Sequence, residues 1–406
     1  MSERVIAPVR RGFLCLDSHP TGCARAVDDL WRAAAPVPPV HGREEGAVAL
    51  VIGSSAGYGL AATVAGLARA GIRGIGVCSE RAATDRRTAS AGWYRTAAVA
   101  ELARRHGRDM VFLNGDGFGD ALKERVADLL DERFGGRLDY LIHSVAAPRR
   151  TDPVTGSTEA SVLKPIGAPH TTKTLHFAAD GLFEVRKTTL ERAESGETER
   201  TVAIMGGVDW ERWVTHLLDR RLLADGFTTT ALSYVGSPVT APVYRQGTIG
   251  AAKIHVENTA TRLNERLEKL VGGRAFATVN GVAVTQSSNA IPGIALYLLL
   301  LRGVLGEAMV PPIGQMSHLW ERMTGGRPLE VDSEGRVRVD AWELDTEVQR
   351  AVEERWASVT TDNLADLADL DWFRAEVERL FGFGIPGVDY TVPVRTDVPW
   401  SIPPGA

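Results

Sequence analysis

AVALVIGSSAGYG, residues 47–59, decides the fold, because an aliphatic run breaks abruptly into a loop spaced by Gly53, Gly57 and Gly59 and then opens an amphipathic stretch. Strand, loop and helix in that order are the start of a β-α-β unit. In such a loop Gly53 permits the sharp turn, Gly57 lets the backbone approach a pyrophosphate, and Gly59 lets the helix sit close to the strand. Free N–H groups and the helix dipole would attract the phosphates. Three glycines alone are also what any tight turn uses, and it is the flanking strand and helix that favour a dinucleotide site, with Gly53, Ser54, Ser55, Ala56, Gly57 and Tyr58 as its contacts.

Outward from this stretch the pattern repeats. RGIGVCSE (73–80), DMVFLNGD (109–116) and LDYLIHSVA (138–146) read as further strands. Helical stretches at Ala62–Ala70, Trp93–His106 and Asp120–Phe134 lie between them, with Gly107, Gly135 and Gly136 as stops. The fold class is therefore α/β, a Rossmann-type doubly wound and mostly parallel sheet with helices on both faces. Residues 149–200 loosen into an irregular excursion. FTTTALSY (227–234), a helix over Ile249–Leu270 and a strand over Ala275–Thr285 then extend the sheet. LEVDSEGRVRVD (329–340) has two alternating runs around Ser-Glu-Gly, which predicts a small C-terminal β-hairpin, with two charged amphipathic helices after it. The organisation expected is a catalytic body over 1–326 and an accessory layer over 327–406, ending in a Pro-rich tail that is either poorly ordered or laid along the surface.

The 406 residues are 44% hydrophobic and 24% charged, enough to bury a full core. A formal net charge of −5 leaves no cationic excess for a phosphate backbone, so nucleic acid is not the expected partner. Cys15, Cys23 and Cys78 are too few and scattered for a disulfide framework or a paired-cysteine zinc site, which fits a reducing cytoplasm. The histidines form no ligand cluster, so no metal is expected, and His143 reads as a packed strand residue. No apolar run approaches the roughly 20 residues of a membrane span. Ala295–Leu301 is the nearest, and a buried helix is preferred for it over a wall for an acyl chain. Asp209–Trp213 reads as helix packing, while Arg149 and Arg150 either meet anionic ligand groups or remain solvated.

Ligands of open α/β sheets bind beyond the carboxyl ends of the strands, which here carry Ser79 with Glu80, Asp116 with Gly117, and Ser144 with Val145. Glu80 lies where a carboxylate accepts from the adenosine ribose and repels a 2'-phosphate, favouring NADH; Arg81, Arg86 and Arg87 nearby keep a phosphate-accepting alternative open. Asp116 suits an adenine contact, and Ser144 and Val145 border the nicotinamide side. Each of these is also an ordinary strand-ending residue. The reactive candidates are Tyr244 and Lys253. On one continuous helix, nine steps of about 100 degrees would set them on opposite faces, so a bend near Gly247 and Thr248 must leave Tyr244 on the approach loop and Lys253 in the first turns. An ammonium nearby would lower the phenol pKa, and a phenol O–H so placed can stabilise or protonate an enolate. Tyr234 ends the preceding strand, with substrate contact and core packing weighed equally.

The chain resembles the trans-2-enoyl-CoA and enoyl-acyl-carrier-protein reductases, enlarged relatives of the short-chain dehydrogenases. The likeness runs from RGFLCLDSHPTGC (11–23) through GSSAGYG, AGWY (91–94), NGDGF (114–118), LKPIG (163–167) and MGGVDWERW (205–213). It continues through Tyr234, the Tyr244 and Lys253 pair, VTQSSNAIP (284–292) and FGFGIPGVDY (381–390). The resemblance implies NADH-dependent reduction of 2-enoyl thioesters, on CoA or the acyl carrier protein, in fatty acid synthesis by a monomer. It implies Tyr244 as proton donor, Tyr234 as substrate contact, and Lys253 with Val282, Ala283 and Val284 as cofactor contacts beside those above. The sequence departs from the family pattern at Cys78, Ser79 and Gly117 and after Tyr390. A carbonyl or alcohol oxidoreductase using the same Tyr and Lys, and a non-catalytic NAD-binding regulator, are the competing readings.

Overall fold

Seven parallel strands organise the computed structural model, which describes residues 3–35, 46–177 and 182–400. They are β1 (Val48–Ile52), β2 (Arg73–Cys78), β3 (Met110–Asn114), β4 (Leu138–His143), β5 (Leu223–Ser233), β6 (Arg274–Val279) and β7 (Arg336–Arg338). Across the sheet the order is β7-β6-β5-β4-β1-β2-β3, with every neighbouring pair parallel. Strand β1 is buried along its whole length, as a strand covered on both faces must be. Chain order reverses between β1 and β4, and this switch point opens the crevice in which such sheets bind ligands.

Helices cover both faces. On one, Pro20–Ala34, Gly57–Ala65, Ala91–Arg105 and Pro312–Met323 pack Val27, Leu60, Val99 and Trp320 against the sheet. On the other, Asp120–Phe134, Val208–Asp219 and Thr248–Val271 bring Val126, Trp210, Trp213 and Leu263 to β1, β4 and β5. Helix Ile294–Leu305 centres a third core. Its residues 294–301 are all buried, among Leu175, Phe183, Val352 and Phe373, so the apolar run is a buried helix. No single described helix is long and apolar enough to cross a membrane.

The expected C-terminal hairpin does not form. The Ser-Glu-Gly turn is present, with Asp332 accepting from the amides of Glu334 and Arg336. The run after the turn nevertheless leaves its antecedent and pairs with β6 as the seventh parallel strand. Val337 is thereby fully buried while Val331 stays 53% exposed, so an open sheet edge with a core beneath it outcompetes a local partner without one. The excursion is more regular than its composition suggests: Arg149–Thr151 pairs with Thr158–Ala160, and His170–Phe177 with Phe183–Leu190, both antiparallel. The tail up to Trp400 does run along the surface. Val394 pairs with Arg4, and the Thr396 and Val398 carbonyls accept from Tyr94 and Trp93 at 2.7 and 2.8 Å. The last residues of the Pro-rich tail, 401–406, lie outside the described residues.

Candidate active site

The glycine loop is built as its spacing predicts. Gly53 has φ +88°, and a Cβ there would stand 2.1 Å from the Ser144 carbonyl; one on Gly59 would stand 2.0 Å from the Gly53 carbonyl. Those two glycines are thus required by the protein's own close packing of helix on strand. Gly57 is different, because at φ +52° its Cβ would meet only Thr285, at 3.5 Å. No side chain caps the helix that begins there, so its first amides remain available to an anion. This uncapped terminus fits a dinucleotide pyrophosphate.

The other strand ends converge on it. Ser55 Oγ donates to Glu80 Oε1 at 2.6 Å, and Ser90 Oγ donates to Oε2, which ties the end of β2 to the glycine loop. Ser79 and Asp116 are exposed, and the Ser144 amide is held by the Ile52 carbonyl at 2.8 Å. Tyr58 OH donates to the Gly281 carbonyl, which draws the turn carrying Val282, Ala283 and Val284 to the same loop. Beneath Gly117 lies a charged cluster that sequence reasoning missed. Lys123 Nζ, itself buried, donates at 2.9 Å to the carbonyls of Gly117 and Phe118 and to Asp209, whose other oxygen is 3.3 Å from His143 Nε2. His143 and the Trp210 and Trp213 stretch are packed as expected. Arg150 is neither solvated nor free for a ligand, since it is buried and donates to the Ala203 carbonyl at 2.7 Å.

Tyr244 and Lys253 are separated by the anticipated bend. The helix starts at Thr248, with Gly247 at its N-cap and no side-chain cap. The Thr248 amide and hydroxyl go instead to the carbonyls of Lys164 and Val162 in the excursion. A Cβ on Gly250 would stand 2.0 Å from the Arg245 carbonyl and 2.5 Å from that of Tyr244, so the loop folds back onto the first helical turn. Arg245 locks it there with a two-pronged pair to Glu257, at 2.8 and 3.0 Å, one turn beyond Lys253.

The Tyr244 ring packs edge-on against Tyr234, with centroids 4.9 Å apart. Its electrostatics differ from the expectation. Burial raises the Tyr244 pKa above the ordinary phenol value; Arg245 opposes this, Glu343 adds to it, and Lys253 is not among the charges acting on it. Burial in turn pushes the Lys253 ammonium down to about 8, with Glu257 working against that. Low dielectric thus outweighs charge proximity at both groups.

Glu343 is the second residue missed. Fully buried, it accepts from Tyr234 OH at 2.8 Å, from Tyr297 OH at 2.9 Å and from the Val282 amide. Burial pushes its carboxyl up to about 7, and the hydrogen bonds from Tyr234, Val282 and Tyr297 hold it down. Nothing local announces it, because its partners lie 46 to 109 residues away.

A doubly wound parallel sheet with an uncapped glycine-loop helix at its switch point, and a buried phenol on a bend ahead of the helix that carries Lys253, fit a nucleotide-dependent oxidoreductase. Models of the trans-2-enoyl-CoA reductase catalytic region and of the NAD(P)H binding domain of trans-2-enoyl-CoA reductase match residues 87–324 and 5–85. The chain belongs to the trans-2-enoyl-CoA reductase family. It is 56% identical over 97% of its length to the enoyl-[acyl-carrier-protein] reductase [NADH] of Streptomyces avermitilis, covering 99% of that protein. It is 40% identical over 95% of its length to the trans-2-enoyl-CoA reductase [NADH] of Clostridium perfringens, covering 98% of it. The Treponema denticola trans-2-enoyl-CoA reductase, solved in complex with NAD, superposes with a TM-score of 0.90 at 38% identity, covering 97% of this chain and 99% of that one.

A third model, described as an enoyl reductase FAD binding domain, matches residues 331–394. The residues there do not fit a flavin. Val352, Val359, Leu364 and Phe373 are spent on the core around helix Ile294–Leu305. The glycines of FGFGIPG are used in packing too, with Gly382 so close to helix Pro20–Ala34 that a Cβ on it would lie 2.6 Å from the His19 carbonyl.

Proposed function

We infer that this chain catalyses NADH-dependent reduction of the carbon–carbon double bond of trans-2-enoyl thioesters, with Tyr244 as the acid. When bound, NADH supplies the hydride that adds to the β-carbon. The glycine loop would hold the pyrophosphate and Glu80 the adenosine ribose, with Asp116, Gly117, Ser144, Val145 and Val282–Val284 along the remainder. Tyr244 stabilises the charge that develops on the thioester oxygen and gives its proton, and Lys253 holds the nicotinamide ribose. Burial suits the phenol to this role, since a raised pKa keeps it protonated until the enolate forms.

The observation that carries the reading is the Gly247–Gly250 bend, which folds the backbone of Tyr244 and Arg245 against the first turn of the helix that carries Lys253. Tyr244→Phe should preserve NADH binding and lower turnover of crotonyl-CoA by at least about 10²-fold, the scale of a general acid. Turnover at the parental rate would end the assignment. The same steady-state assay with enoyl-CoA and enoyl-acyl-carrier-protein decides the carrier. We place the enzyme in the cytoplasm, which three free thiols support, and as a monomer, which size exclusion tests.

A further inference from the structure

We propose that Glu343 is a positioning residue that decides which of two adjoining phenols delivers the proton, by committing the hydroxyl hydrogen of Tyr234 and leaving that of Tyr244 free. The proposal rests on the reading of Tyr244 as the acid. A buried carboxylate is costly unless paired or fully hydrogen-bonded, and no cation pairs with Glu343 among the described residues. Three donors satisfy it instead. Oε1 accepts from the hydroxyls of Tyr234 and Tyr297, and Oε2 from the Val282 amide. Gln349 Nε2 donates to the Tyr297 oxygen at 3.0 Å and to the Glu343 carbonyl at 2.7 Å, which turns the Tyr297 proton towards the carboxylate.

Above about pH 7 the Glu343 carboxyl is ionised and only accepts, so Tyr234 must donate to it and presents only lone pairs in other directions. In that arrangement it has no proton for a substrate oxygen. Tyr244 has no such acceptor among its described partners, although its ring stands edge-on to that of Tyr234. Two phenols side by side are therefore made unlike by one acid from the C-terminal layer. The same acid grips the cofactor-side turn at Val282, so the commitment of Tyr234 and the position of that turn are set together.

Glu343→Gln separates this role from a packing role. The Val282 N–H still needs an acceptor, so the amide oxygen faces it and the NH2 group donates to the two phenol oxygens, releasing their hydrogens. Tyr234 then becomes a donor. Crotonyl-CoA reduction is measured for Y244F, E343Q/Y244F and Y234F, with NADH affinity and thermal melting as checks of the fold. The expected results are at least about tenfold faster turnover in E343Q/Y244F than in Y244F, the scale of a regained proton donor, and a kcat loss in Y234F well short of that in Y244F. Loss of packing cannot raise a rate. No recovery in E343Q/Y244F overturns the proposal, and so does a kcat loss in Y234F equal to that in Y244F, which needs no folded Glu343 variant. Y244F at the parental rate would instead sink the assignment of Tyr244 itself.

Discussion

Arg245 should control turnover without touching substrate. It follows the proposed acid directly and grips Glu257 with both guanidinium nitrogens, at 2.8 and 3.0 Å. The pair is neither a surface bridge nor a fully buried one, since the side chains are 24% and 9% exposed. Exposed pairs contribute under about 1 kcal/mol, while breaking a buried one costs about 3 to 5 kcal/mol, so about 2 kcal/mol is the reasonable figure here. If that energy is what holds the Tyr244 loop on the helix, losing it displaces the reactive geometry and lowers kcat by about 30-fold. Arg245→Met also removes the one cation that lowers the Tyr244 pKa, and both effects act in the same direction.

Steady-state NADH oxidation with crotonyl-CoA reads this. R245M should lose about 30-fold in kcat and E257Q less, because its amide oxygen keeps one bond to Arg245. NADH affinity should change little in R245M, since the latch lies on the reactive side of the crevice. The double variant should be no slower than R245M, because both changes remove the same interaction. A kcat for R245M within about twofold of the parent, or losses that multiply in the double variant, would refute the latch.

The remaining predictions are simpler. Lys253 has its folded pKa depressed to about 8, so its ammonium is present below that pH and lost above it. If the charge holds the cofactor, kcat/KM should fall as pH rises through about 8, and a profile flat from about pH 7 to 9.5 would contradict the role. Gly57→Ala meets nothing closer than 3.5 Å in the protein, whereas Gly59→Ala drives a Cβ to 2.0 Å from a carbonyl. G57A, free of clash but strained at φ +52°, should therefore lose about 1 kcal/mol of stability yet stay folded while losing NADH affinity, and G59A should lose more thermal stability as well. A G57A protein binding NADH like the parent would show that the loop is only a turn.

The parallel sheet was legible because β1 to β4 are aliphatic and β-branched runs punctuated by glycines, and a strand buried on both faces carries that composition along its length. The hairpin over 170–190 was not legible, because HTTKTLHF alternates polar with polar. Beside Leu175 and Phe183 in the third core, it carries cross-strand pairs such as Thr171 with Thr189 and Thr174 with Thr188, both with hydroxyls 2.8 Å apart, which a search for alternating apolar residues passes over. The C-terminal hairpin was misread for the converse reason: the alternation was real, but alternation does not say which edge a strand will pair with. At the site, the bend between Tyr244 and Lys253 followed from helix geometry alone. The direction of the phenol shift did not, because a sequence shows which charges are near in number and conceals how deeply they are buried.

The wide spacing of the pair explains why the acids and bases that sequence reasoning missed sit where they do. Two reactive groups on one helix face are ordered by the helix itself, through its i to i−4 bonds. Tyr244 has left the helix, so nothing in regular structure fixes it, and each degree of freedom must be removed by an outside contact. Arg245 to Glu257 fixes the loop on the helix, the excursion holds the helix start through Lys164 and Val162, and Glu343 orders the neighbouring phenol. Arg336, on β7, reaches within 3.6 Å of the same Glu257 oxygen that Arg245 uses. The seventh strand and the segment after it thus brace the proposed reactive site, and shortening the chain ahead of β7 would remove Arg336 and Glu343 together with the sheet edge that carries them.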